Sequence, residues 1–174
     1  KQEDIKLEGW SMECRINADD PFRNFLPSTG RLVKYRPPEE LDGVRVDTGV
    51  FEGGEIPMYY DSMIAKLIVH GTDRNDAIAK MREALNGFVI RGISSNIPFQ
   101  AALLAHPKFV SGDFNTGFIA ENYAHGFRAE DVPHHDPDFL VALAAFVRRK
   151  SRERAANLSG QLPGYDVQIG HDYS

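Results

Sequence analysis

The 174 residues include 42% hydrophobic and 26% charged residues, a composition that excludes a wholly disordered chain and fits a globular one. The formal net charge is −5, and Glu153 interrupts the one basic cluster, 148–154, so nucleic acid is not expected as a partner. No apolar stretch approaches the roughly 18 residues of a bilayer span, so no membrane partner is expected. The single cysteine, Cys14, allows no internal disulfide and favours a reducing compartment.

Alternating polarity near the start of the chain predicts a β-strand from Trp10 to about Asn17. One face of this strand is apolar, and Cys14 on it is expected to act as a small buried hydrophobe. The other face carries three polar side chains, those of Glu13, Arg15 and Asn17. A carboxylate, a guanidinium and an amide in one row make this face the candidate site.

Strands are also predicted from Arg31 to Tyr35, from Val44 to Asp47, and from Ile64 to His70. The last is dense in branched apolar residues and is expected to be central in the sheet. The pair Gly53-Gly54 predicts a hairpin turn before a strand at 56–60.

Helical periodicity follows the central strand. A cap at Thr72 or Asp73 predicts a helix that ends near Asn86 and packs an apolar stripe on the sheet. After a short strand at 88–93, Asn96 is expected to cap a second helix, and a third is expected to begin near residue 115. Antiparallel strands with segregated helices predict an α+β fold.

The composition changes after Tyr123. Residues 125–137 are rich in glycine, proline and histidine and predict a linker. A long helix is predicted from Asp138 to Leu158, and its first half is apolar nearly all round, so it needs covering on most sides. A strand at 167–169 is expected to begin that cover. The predicted organisation is therefore a domain over 1–124, a linker over 125–137 and an incomplete second unit over 138–174.

Three phrases of the sequence resemble the C-terminal subdomain of biotin carboxylase. They are ECRINADDP at 13–21, LPSTG at 26–30 and YYDSMIAKL at 59–67. The helix at 73–85 and the phrase VIRGI at 89–93 follow in the order and spacing of that family. The phrases FVSGD at 109–113 and YAHGF at 123–127, with the long helix beyond them, resemble the alpha subunits of biotin-dependent acyl-CoA carboxylases of the propionyl-CoA type. The interaction domain of those subunits wraps a helix in a β-barrel.

The resemblance implies an enzyme that uses ATP, Mg²⁺ and bicarbonate to carboxylate N1 of biotin. It implies a catalytic role for Arg15, which would bind the biotin ureido oxygen and the anion, and a substrate-binding role for Asp61, which would orient Arg15 through a two-point hydrogen bond. A guanidinium suits this work because it stays cationic and donates in a fork. The alternatives are a strand-face salt bridge of Arg15 with Glu13 or Asp47, and a turn-forming Asp61.

The resemblance also implies the partners. Arg45 and Leu41 are expected at the interface of a carboxylase homodimer, and the long helix is expected to dock on the carboxyltransferase beta subunit. The ATP lid and metal-binding glutamates are expected before Lys1, and the biotin of the carrier domain is expected on a lysine beyond Ser174, so that this chain alone should be inactive. The location would be the cytoplasm of a bacterium or the mitochondrial matrix of a eukaryote.

Other readings of the chain remain open. The chain could instead be related to a 3-methylcrotonyl-CoA, acetyl-CoA or pyruvate carboxylase. It could also serve only dimerisation and docking. No metal site is expected, since His134 and His135 are adjacent in a predicted linker and make poor joint ligands without further partners.

Overall fold

The computed structural model describes residues 1–57, 61–133 and 137–156. The chain divides into two compact units, Lys1–Pro133 and His134–Ser174. The first unit combines small antiparallel sheets with packed helices, which confirms the predicted α+β class.

The described strands are β1 Trp10–Asn17, β2 Asp19–Asp20, β3 Leu26–Pro27, β4 Gly30–Arg31, β5 Lys34–Arg36, β6 Val44–Thr48, β7 Glu55–Ile56, β8 Met63–Gly71 and β9 Val89–Arg91. The α-helices are α1 Arg74–Gly87, α2 Ile97–Ala105, α3 Pro107–Ser111, α4 Phe118–Asn122 and α5 Pro137–Ala156. Short 3₁₀ turns lie at Gln2–Asp4, Pro21–Arg23 and Ala129–Asp131.

The main sheet has three antiparallel strands in the order β1-β8-β6, which confirms that β8 is central. Cys14 lies opposite Leu67, and Leu67 lies opposite Val46, so these positions share the inner face. Arg15 lies opposite Lys66, and Lys66 lies opposite Asp47, so these positions share the other face. The register therefore separates an apolar face from a charged one.

The hairpin predicted at Gly53-Gly54 is wrong, because the strands on either side of it do not pair with each other. β6 pairs with β8, whereas β7 pairs with β4. The N–H of Gly53 donates to the carbonyl of Leu32, and the N–H of Leu32 donates to the carbonyl of Gly54. Residues 58–60 of the predicted strand lie outside the described residues.

The strand predicted from Arg31 to Tyr35 is divided into β4 and β5. β4 pairs with β7, and β5 pairs with β9. The exchange of partners occurs at Val33, whose N–H donates to the carbonyl of Arg91. Pairing with two different strands interrupts a segment whose local pattern is continuous.

Helix α1 packs its predicted apolar stripe on the inner face of the sheet. The stripe is buried along its whole length: Ala77, Ile78, Met81, Leu85 and, just after the helix, Phe88. The helix begins after Asp73, whose side chain accepts hydrogen bonds from the N–H groups of Asn75 at 2.8 Å and Asp76 at 3.0 Å. Of the two predicted caps, Asp73 is therefore the one used.

Replacing Asp73 by alanine is expected to lower the free energy of unfolding by about 1 kcal/mol, because two N–H groups of the first turn lose their acceptor. Urea denaturation of this chain measures the change. Asp113→Ala is the matched control, since the Asp113 carboxylate is exposed and makes no hydrogen bond or ion pair with a described residue. Equal losses in both variants would contradict the capping role.

A second, aromatic cluster of buried residues involves α2 and the segment after α4. Phe127 packs edge-to-face on Phe99 with ring centroids 5.4 Å apart, and it also contacts Phe22 and Tyr123. Phe127 is 4% exposed although it belongs to the segment predicted as a linker. The start of 125–137 therefore packs within the first unit, and the three-part division of the chain stays a prediction.

The second unit contains the predicted long helix as α5, which is described to Ala156. The apolar side chains of its first half are exposed: Phe139, Leu140, Val141, Leu143, Phe146 and Val147. The predicted end of the helix at Leu158, the predicted strand at 167–169, and both His134 and His135 lie outside the described residues. Among the described helices, none has the length and apolar character needed to cross a membrane.

Candidate functional site

Arg15 lies on the open, charged face of the main sheet. Its side chain is 68% exposed, and its Nε donates to Glu13 Oε1 at 3.2 Å. An exposed pair of this kind contributes only about 0–1 kcal/mol, since water screens both charges. The guanidinium therefore lies at the surface and is not neutralised in a closed, buried ion pair.

Of the two salt bridges considered for Arg15, the structure contains the one with Glu13. Asp47 lies two strands away, about 10 Å at ordinary strand spacing, with Lys66 between them. Asp47 is instead engaged by its neighbour on β6, because Arg45 donates from Nε at 2.8 Å and from Nη2 at 2.9 Å.

Lys66 places a second cation directly beside Arg15. It pairs with no described carboxylate, and the two basic residues face each other across β1 and β8. Like charges opposite each other destabilise a sheet, and the carboxylates of Glu13 and Asp47 on the same face offset this repulsion. From the sequence alone Lys66 could lie beside the site or reach solvent, because its position beside Arg15 follows only from the register of two strands far apart in the chain.

Asp61 does not join Arg15. Its Oδ1 accepts a hydrogen bond from the N–H of Met63 at 3.1 Å, in the turn that leads into β8. This is the contact of a turn-forming aspartate, and within the described residues no bond links the Asp61 carboxylate to Arg15. Tyr59 and Tyr60 of the same phrase lie outside the described residues.

Cys14 points to the opposite side of β1 and packs on the main core. Burial raises the pKa of its thiol to about 12, and the negative charge of Glu13 adds to the rise. The thiol is therefore protonated at neutral pH and lacks the thiolate character of a nucleophile or metal ligand. This confirms the prediction of a small apolar residue.

The outer edge of β1 faces α2. A cavity of about 370 Å³ lies there, and its lining includes Arg15, Asn17, Asn96 and Gln100. Phe25, Phe99 and Leu103 also line it, so Arg15 borders both the open face of the sheet and a largely apolar recess at the edge of the strand.

The two predicted interface residues lie at the surface. Leu41 is 63% exposed, and the Arg45 side chain is exposed as well. Hydrogen bonding to Asp47 raises the pKa of the Arg45 guanidinium. Among the described residues, no three histidine, cysteine, aspartate or glutamate side chains lie close enough together to hold a metal ion.

The chain is similar to biotin-dependent carboxylases. The family model of the biotin carboxylase C-terminal domain matches residues 13–121. The propionyl-CoA carboxylase alpha chain of Ruegeria pomeroyi is 44% identical over 99% of this chain and 28% of that one. Biotin carboxylase 1 of Bacillus subtilis is 56% identical over 68% of this chain and 26% of that protein.

A solved structure has the same fold. It is the dimer of the biotin carboxylase domain of Hydrogenobacter thermophilus 2-oxoglutarate carboxylase, in complex with MgADP, ADP and bicarbonate. That domain is 37% identical, with a TM-score of 0.68 over 77% of this chain and 28% of its own. The present chain spans less than a third of the length of each of these relatives.

Proposed function

The chain belongs to the biotin carboxylase C-terminal domain family, and from this we propose that it is the segment of a biotin-dependent carboxylase that presents Arg15 to biotin and bicarbonate. The observation that carries the proposal is the exposed Arg15 guanidinium on a polar sheet face, beside Lys66 and inside the matched residues.

Arg15 is suited to stabilise negative charge. Its guanidinium stays protonated at any physiological pH and offers several N–H donors in a fixed plane. Donors already aimed at an oxygen on which charge develops lower the barrier of a reaction, since they need no reorganisation. In this proposal Arg15 donates to the ureido oxygen of biotin and to the anion, and Lys66 adds positive potential. Asp61 is proposed to border the substrate, although its hydrogen bond is to Met63.

The parent enzyme is proposed to use ATP, Mg²⁺ and bicarbonate, and to carry biotin on a carrier domain. These groups would be held mainly by parts of the polypeptide outside this chain. The proposed substrate class is an acyl-CoA, with propionyl-CoA first, because the match to the R. pomeroyi alpha chain extends over 99% of this chain, well past residue 121. Acetyl-CoA, 3-methylcrotonyl-CoA and pyruvate are the alternatives.

The remaining contacts of the segment are proposed to be with protein. Arg45 and Leu41 would lie in a carboxylase homodimer, as their exposure allows. Residues 138–174 would begin a helix-in-barrel interaction domain that docks on the carboxyltransferase beta subunit, and the exposed apolar half of α5 supports this. A bacterial parent would act in the cytoplasm and a eukaryotic one in the mitochondrial matrix.

A comparison of the isolated chain with the complete carboxylase tests whether activity requires the parts of the polypeptide outside this chain. By complete carboxylase we mean the full polypeptide that contains this segment, assembled with its partner subunit. The complete carboxylase is expected to hydrolyse ATP in response to free biotin, and the isolated chain is not. Biotin-dependent turnover by the isolated chain above background would contradict the proposal, as would its absence from the complete carboxylase.

A further inference from the structure

No described strand pairs with the outer edge of β1. Side chains form hydrogen bonds with the peptide groups of this edge instead. β1 is at the end of the order β1-β8-β6, so its outward peptide groups need other partners. Helix α2 lies along this edge and supplies them at residues 15–17.

Asn96 pairs with β1 as a residue of a neighbouring strand would. Its Nδ2 donates to the carbonyl of Arg15 at 3.0 Å, and its Oδ1 accepts from the N–H of Asn17 at 3.0 Å. Its own N–H donates to the carbonyl of Asn17 at 3.1 Å. A carboxamide has the same donor and acceptor as a peptide group, so this side chain can continue the ladder.

Gln100 adds a second donor to the same atom. It lies one helical turn after Asn96, and its Nε2 also donates to the carbonyl of Arg15. Two carboxamides on one face of α2 thus converge on the peptide group of Arg15. We call Asn96 and Gln100 the carboxamide clamp.

The hydrogen bonds of the clamp engage the Asn96 carboxamide, which could otherwise cap helix α2. Asn96 is the N-cap residue of α2 but makes no side-chain capping bond, although asparagine is among the best capping residues. In addition, Gln100 Oε1 and Asn17 Oδ1 are buried and accept no hydrogen bond from a described residue. Local preferences are given up in this way mainly where function requires a particular geometry.

The clamp acts where the sheet itself is irregular. The register of β1 against β8 shifts between Ile16 and Asn17, one residue beyond Arg15. Such irregularities redirect side chains, and the ladder alone fixes the strand less firmly there. The bonds from α2 provide an independent second attachment of the Arg15 backbone.

We propose that Asn96 and Gln100 are positioning residues for biotin carboxylation, which act by holding the Arg15 backbone and thereby fixing where its guanidinium lies. The inference rests on the proposed function of Arg15. It follows from the sensitivity of catalysis to geometry, since a displacement of about 1 Å in a reacting or binding group can cost on the order of 10²-fold in rate.

The substitution Asn96→Asp in the complete carboxylase tests the clamp. It keeps the shape and the acceptor for the N–H of Asn17, and it removes the donor to Arg15. The new carboxylate oxygen faces the carbonyl oxygen of Arg15 and repels it, whereas its negative charge is favourable beside the helix N-terminus. Tm is measured together with kcat, so that a loss of fold is separated from a loss of rate. We expect kcat for biotin carboxylation to fall about tenfold or more, with the KM for ATP unchanged. Gln100→Leu, which keeps the bulk of the side chain, should act in the same direction.

Asn122→Asp is the matched control. Asn122 Nδ2 donates to the carbonyl of Phe118 at 2.8 Å, a bond of the same type on α4 that does not touch β1. This variant should keep wild-type kcat.

A double-mutant cycle distinguishes positioning from a general structural effect. If Asn96 acts through Arg15, Asn96→Asp should cause no further loss in an Arg15→Ala background. Wild-type kcat in both clamp variants would overturn the inference, and so would an equal loss with and without Arg15. A wild-type complete carboxylase that shows no biotin-dependent turnover would instead overturn the proposed function.

Discussion

Replacing Arg15 by alanine in the complete carboxylase is expected to lower kcat for biotin carboxylation by about 10²-fold or more. In the role proposed for Arg15, the substitution removes preorganised donors at an oxygen where negative charge develops. Stability should change little, because the pair that Arg15 forms with Glu13 is at the surface. Steady-state assays at saturating ATP and bicarbonate, together with Tm, measure both quantities.

Two further variants make the Arg15 result specific. Arg128→Ala removes another exposed arginine with an adjacent carboxylate partner, Glu130, and should leave kcat unchanged. Arg15→Lys keeps the charge but not the forked donors and should restore only part of the rate. If Arg15→Ala leaves turnover intact and disrupts assembly, the segment serves dimerisation and docking instead.

Replacing Leu67 by alanine is expected to lower the free energy of unfolding of this chain by about 2–5 kcal/mol, the range for a large-to-small change in a packed core. Leu67 is 0% exposed, lies in the middle of the central strand β8, and belongs to the same core as Met81 and Leu85 of α1. The loss combines the removed apolar contact with the cavity left behind. Denaturant titration with a two-state fit measures it.

Leu7→Ala is the matched control for the core substitution. Leu7 is 100% exposed, so its truncation should change the free energy of unfolding by less than about 0.5 kcal/mol. A small effect at Leu67, comparable to that at Leu7, would mean that α1 does not pack on the sheet as described.

Local patterns were enough to predict the elements whose residues supply their own signal. Alternation predicted β1 with its bounds, the dense apolar run predicted β8, and the three- and four-residue steps predicted α1. Strand pairing was predicted less well because it depends on segments distant in the chain. Gly53 reads as a hairpin turn locally, but its N–H donates to Leu32.

The same limit applies to the candidate site. The phrase around Arg15 predicts its guanidinium as a site group, and the structure places that side chain at the surface. Lys66 becomes a candidate only when the register of β1 and β8 is known. Asn96 was predicted as a helix cap, and capping is a local preference. The structure shows that its carboxamide pairs with β1 instead.

The most direct measurement of the role of Arg15 is the ATP-dependent transfer of label from bicarbonate to free biotin by the complete carboxylase. The unchanged segment is expected to support labelling, and Arg15→Ala is expected to slow it by about 10²-fold in an assembly of unchanged size and Tm. Labelling at the wild-type rate by Arg15→Ala, or no labelling by a folded and assembled wild-type protein, would contradict the assignment.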